Sequence, residues 1–167
     1  MKKVVFFSVL FALMLCLIDT AIISHLHFFM PRPEFVLLLV LYVSLYNGSL
    51  VGILTGFFSG LILDFLSLSP LGLHSLIFIV LAFLVGKMHG QYNVNKFLLP
   101  ILVTIFALAV QTVFLMLLQI VFGTNISVPN IFLPDFWISC CATVICAPLL
   151  FLLFQLFPTL LQYREVL

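Results

Sequence analysis

The side chains with chemistry to offer are few: five acids, four histidines and four cysteines in 167 residues. Proton transfer, nucleophilic attack or metal binding would need them at fixed spacings. His25 and His27 are separated by a single residue. On a helix they point apart, which makes a poor metal pair. His74 stands alone on an apolar stretch, and His89 lies in a polar connection. Cys16, Cys140, Cys141 and Cys146 all lie in apolar runs without a C-x-x-C spacing. They read as small buried hydrophobes, not as a zinc or disulfide framework. No Ser-His-Asp or Cys-His arrangement and no phosphate loop can be argued from spacing. The expectation is a non-enzyme without a catalytic, metal or cofactor site.

The most specific local feature is a ladder of glycines. Gly48, Gly52, Gly56 and Gly60 recur every four residues, and Asp64 takes the next step. Residues four apart share a helix face, so this is a ridge of missing side chains. In lipid, helices associate by close backbone approach and van der Waals contact, which small residues permit. Two readings stay open: helix packing within the chain, or a docking face for a partner's helix. Asp64 is equally ambiguous. It could cap the helix at the Ser-Pro break that follows, or pair with Arg32. Asp19 could take Arg32 instead.

The elements that carry these residues follow from composition. Hydrophobic residues are 65% of the chain and charged residues 7%. Soluble domains carry about 25% charged residues. So few charges cannot cover the surface of a soluble fold, and a net charge of +1 excludes the basic face of a nucleic-acid binder. This predicts an all-α polytopic membrane protein. A span needs about 20 apolar residues, so six use about 120. The chain is therefore one integral membrane domain over residues 1–167, a six-helix bundle with short loops. The spans are placed at Val4–Ile23, Phe35–Tyr46, Leu50–Phe65, Leu73–Met88, Phe97–Phe122 and Phe136–Phe157. Span two is short. Asn47-Gly48-Ser49 and the run from Ser67 to Gly72 are turn signals, and Pro148 predicts a kink in the last span. Trp137 and Tyr163 suit the two interfaces.

The N-terminus could mimic a signal peptide, since Lys2 and Lys3 precede an apolar run. No small-x-small cleavage site follows, Asp19 stands in its place, and Leu15 before Cys16 does not suit a lipoprotein site. An uncleaved first span is expected. With both termini cytoplasmic, Lys2, Lys3, Lys87, Lys96 and Arg164 lie inside and Arg32 outside, as the positive-inside rule requires. Asp19, Glu34, Asp64 and Asp135 then fall near the outer face, a carboxylate cluster around Arg32.

Met30-Pro31-Arg32-Pro33-Glu34 opens a short apolar span. The glycine run then leads through Asp64 and Phe65 to Ser69-Pro70-Leu71-Gly72. This pattern resembles the rod shape-determining MreD family: a proline before the second span (Pro31 or Pro33), a glycine-rich helix with Gly56 and Gly60, an acid at Asp64, and the Leu71-Gly72 pair. The specific part covers residues 30–75, and the rest matches in hydropathy alone.

The resemblance implies a non-enzymatic scaffold in the bacterial cytoplasmic (inner) membrane, within the elongasome that inserts side-wall peptidoglycan. It implies direct binding to MreC, a single-span protein with a periplasmic domain. RodA, a class B penicillin-binding protein, MreB and RodZ belong to the wider complex, with membrane lipid around it and no nucleic acid. MreC's span would pack beside the glycine-ladder helix or its neighbours, and the acidic outer rim, with Arg32, would orient MreC. The family is also similar in fold to the substrate-binding subunits of energy-coupling-factor transporters. The alternative is therefore a small-molecule-binding subunit of a transporter. Against it, the outer halves of the spans show no rich set of polar side chains, which such pockets usually carry.

Overall fold

The computed structural model describes residues 2–25, 33–67, 70–90, 98–122, 134–156 and 158–161. His27, Pro31, Arg32, Lys96, Tyr163 and Arg164 lie outside the described residues. The elements are α1 (Lys2–His25), α2 (Phe35–Ser67), α3 (Leu73–Gly86), α4 (Leu98–Phe122), α5 (Pro134–Gln155) and α6 (Pro158–Leu161). No strand occurs among the described residues. Three helices, α2, α4 and α5, are long and apolar enough to cross a membrane, and α3 is a shorter apolar helix. A helix suits lipid because it satisfies its own backbone groups.

Helix α2 is broken at Gly48, whose φ of 82° and ψ of 176° are not helical. There the chain folds back on itself. A Cβ placed on Gly52 would lie 2.9 Å from the Ser44 Cα, whereas residues eight apart on a straight helix are separated by about 12 Å. The reversal falls on the Asn47-Gly48-Ser49 turn signal. A left-handed φ favours glycine, which has no Cβ to clash. The Asn47 amide holds the turn by donating to the Val43 and Leu161 carbonyls at 3.0 and 2.7 Å.

The first limb, residues 35–47, is the centre of the molecule. Every residue from Val36 to Leu45 is buried. A helix that is apolar all round is a buried helix. This explains the short second span: a limb of about 20 Å enclosed by other helices has no need to match the hydrocarbon thickness. Tyr42 packs edge-on against Phe151 of α5, with ring centroids 5.3 Å apart. Phe154 meets both Tyr42 and Phe11 of α1. Gln155 donates to the Tyr46 hydroxyl at 3.0 Å.

The second limb, residues 49–67, runs antiparallel to α3 on the glycine ladder. A Cβ on Gly56 would meet the Phe78 carbonyl oxygen at 2.9 Å, and one on Gly60 would meet the His74 carbonyl carbon at 2.9 Å and the Ser75 backbone more closely still. Gly86 of α3 faces the second limb in the same way: a Cβ on it would lie 2.6 Å from the Ser49 nitrogen. Gly52 faces Ser44 of the first limb. Thus Gly52, Gly56 and Gly60 are filled by the chain's own helices, and Gly48 forms the turn. A partner helix on this ridge would have to displace α3.

The outer surfaces of α4 and α5 are apolar. Ile120 is 81% exposed and Ile145 67%, with Leu102, Val113, Leu117 and Leu149 similarly bare. Monomeric soluble proteins rarely expose contiguous apolar surface on this scale. Pro148 lies inside α5, and Pro158 opens α6, at the position where its missing N–H is least costly.

Candidate functional site

Asp64 is buried at the end of α2, and its carboxylate is taken up by the start of α3. Its Oδ2 accepts from the Gly72 N–H at 2.9 Å and from Ser75 N–H at 3.4 Å. Its Oδ1 accepts from the His74 N–H at 3.1 Å and pairs with His74 Nδ1 at 2.7 Å. The first amides of a helix lack intrahelical acceptors, and the helix dipole favours an anion there. Gly72 supplies the left-handed turn that presents those amides, with φ of 92°. Leu71 beside it is exposed. Asp64 therefore fastens the α2–α3 hairpin, and its charge is turned inward. Arg32, the alternative partner, lies outside the described residues.

Beyond this cap, a cavity of about 570 Å³ opens where α1 ends, α2 and α5 begin, and α4 passes. Three of the acids placed near the outer face in sequence, Asp19, Glu34 and Asp135, line it together with His74. Pro33 also lines it, which places the proline before α2 on the cavity wall. The polar part of the wall continues with Gln111, Thr112, Ser139 and Thr143. Phe35, Leu63, Phe78, Leu108, Leu115 and Phe136 form much of its apolar part.

Glu34 is the hub. Its carbonyl accepts the first bond of α2, from Leu38 N–H at 3.2 Å. Its own N–H donates to Thr143 Oγ1 at 3.3 Å, and that hydroxyl donates to the Ser139 carbonyl at 2.8 Å. Both carboxylate oxygens accept from Gln111 Nε2 at 2.9 Å. Among the described residues one amide group thus serves the entire carboxylate. Burial pushes the Glu34 carboxyl above the usual range, while the Gln111 hydrogen bond and nearby His74 pull the other way. The carbonyl Oε1 of Gln111, a residue only 7% exposed, has no hydrogen-bond partner among the described residues.

No rich polar set is visible in the outer halves of the spans from the sequence, yet the cavity wall carries one. Gln111, Thr112, Ser139 and Thr143 are scattered singly through apolar helices, and only the packing of α4 and α5 around the start of α2 gathers them. A signal was present: each is a polar residue inside a span, where burying it costs free energy unless it finds a partner.

At the opposite end, by the Gly48 turn, lies Lys87, and on α1 Lys3 stands about 24 Å along the helix from Asp19. Beside the same turn His89 Nδ1 meets the Leu45 carbonyl at 2.7 Å. Lys3 and Lys87 thus lie away from the end that holds Asp19, Glu34, Asp64 and Asp135.

Apolar flanks, a fully enclosed central helix and polar ends define an integral membrane helical bundle. The sequence profile described as rod shape-determining protein MreD matches residues 1–157. The chain belongs to the MreD family, shape-determining structural proteins of the membrane. No curated protein and no solved structure matches it.

Proposed function

We propose that this chain is a non-enzymatic, multi-pass scaffold of the inner membrane. On this reading it binds MreC directly and takes part in the bacterial cell-elongation complex that builds side-wall peptidoglycan, with RodA, a class B penicillin-binding protein, MreB and RodZ beyond. The observation that carries it is family membership over residues 1–157. The architecture supports it: the described residues are nearly all helix, with apolar flanks, so partners must be met largely within the membrane. The sorting of Lys3 and Lys87 away from Asp19, Glu34 and Asp135 supports cytoplasmic termini and an outward-facing cavity. Counting the limbs of α2 separately, with α1, α3, α4 and α5, supports six spans.

The glycine ridge is filled, so MreC's span is assigned to an outward helix face instead. The second limb of α2 offers Leu50, Leu54, Phe57, Phe58 and Phe65, all exposed, on the side away from the glycines. Asp64 is engaged with α3, which leaves Asp19 and Asp135 as the rim charges that would orient MreC.

The test is co-expression with a tagged MreC from the same genome and co-purification in mild detergent. Retention of the complex by wild type, with loss in Leu54→Ala/Phe58→Ala protein that still inserts, supports both the scaffold and the face. No co-purification with well-expressed MreC overturns the scaffold reading.

A further inference from the structure

The cavity at the start of α2 has more polar chemistry than a scaffold needs. Asp19, Glu34 and Asp135 line it, and no lysine or arginine is among its described lining residues. Among the described residues Glu34 has a single amide donor for its two oxygens. A buried carboxylate normally collects several donors or a cation, because desolvating it otherwise costs several kcal/mol. Gln111, on the same wall, holds a buried carbonyl oxygen without a partner among the described residues. The Thr112 and Thr143 hydroxyls on this wall donate to carbonyls of their own helices, and His74 Nδ1 pairs with Asp64, so the described wall offers more acidic and neutral acceptors than free donors. The missing group is a cation that donates several hydrogen bonds. Among the described residues no group of three or more His, Cys, Asp or Glu could hold a metal ion, which turns the choice to an organic cation. Phe35, Leu63, Phe78, Leu108 and Phe136 add apolar surface beside the acceptors. The volume of about 570 Å³ falls within the roughly 300–1,000 Å³ of small-molecule sites.

We propose that this cavity is a binding site for a primary ammonium group carried by a small amphiphile. Its –NH₃⁺ group donates to Glu34 and Gln111 Oε1, its charge is balanced by Asp19 and Asp135, and its apolar part lies against the aromatic wall. The site goes beyond the scaffold reading and does not depend on MreC.

Calorimetric titration of the full chain in a neutral maltoside detergent tests it. The probe is decylammonium, with decanol as the uncharged control of equal chain length. Saturable binding of decylammonium, with only non-saturable partitioning of decanol, is expected. Glu34→Gln should weaken decylammonium binding at least tenfold. Asp135→Asn, at an exposed position, should weaken it about threefold and serves if Glu34→Gln does not fold. Ethanolamine and a short-chain phosphatidylethanolamine separate the sources: saturation by the first assigns a free amine, by the second alone a lipid headgroup. Equal behaviour of decylammonium and decanol, or indifference to the folded carboxylate variants, overturns the proposal. So does an Arg32→Gln protein that binds decylammonium when wild type does not, because the chain's own guanidinium would then hold the site. MreC co-purification that persists in a non-binding variant separates failure of this site from failure of the scaffold.

Discussion

Replacing Asp64 tests whether one carboxylate fastens the α2–α3 hairpin. Asp64→Ala leaves the amides of Gly72 and His74 without their acceptors, bonds of 2.9 and 3.1 Å, and removes the His74 side-chain bond of 2.7 Å. Each buried orphaned donor costs about 1–3 kcal/mol. Two amides place the loss at about 2–6 kcal/mol, before the helix-dipole contribution of about 0.3–1 kcal/mol. Asp64→Asn keeps one acceptor oxygen but turns an NH₂ toward the remaining donor, so one amide is orphaned and the loss is about 1–3 kcal/mol. These values stand well above the average of about 0.6 kcal/mol for interhelical side-chain bonds in a membrane. The difference arises because Asp64 is a charged acceptor for main-chain groups at a helix start. Equilibrium unfolding in maltoside by added dodecyl sulfate reads the loss. Leu71→Ala is the control, since that side chain is 68% exposed. The expected order of stability is control, Asp64→Asn, Asp64→Ala. An Asp64→Ala protein as stable as the control would refute the reasoning.

The same unfolding assay checks four further predictions. Gly60→Ala should destabilise by about 1–3 kcal/mol through overpacking, because the Cβ meets unyielding α3 backbone. Gly72→Ala has open space around it and should lose about 1–2 kcal/mol through its left-handed φ alone. Gln111→Leu should cost about 1.5–3 kcal/mol by stripping Glu34 of its donor, and a double-mutant cycle with Glu34→Gln should show coupling of at least about 0.5 kcal/mol. Phe154→Ala, in the core beside Tyr42 and Phe11, should cost about 3–5 kcal/mol, whereas Leu149→Ala on the exposed face should stay within about 0.5 kcal/mol.

Local signals in the sequence carried much of the helical plan. The apolar stretches appear as helix, and the breaks fall at Gly48 and at Pro70-Leu71-Gly72. Hydropathy and turn chemistry are short-range properties, so they survive without knowledge of the fold. The ladder was legible as a face, but its occupant was not, because a glycine states only that something comes close. Residues 35–47 looked like a deficient span; uniform apolarity has no periodicity to show which side faces what. For Asp64, spacing allowed a cap or an ion pair, and only the position of the α3 amides shows the cap.

What the sequence determined by itself is the solvent: so few charges and so much apolar surface require a membrane, and the Pro, Gly, Asp and Leu-Gly pattern marks the MreD family. Tertiary structure decided which helix is central, that the glycines receive α3 and the first limb of α2, and that Glu34 meets Gln111 across 77 residues. Composition acts through transfer free energy, which sums over residues in any order. A site depends on which distant side chains share a wall, and that is set only when the helices pack.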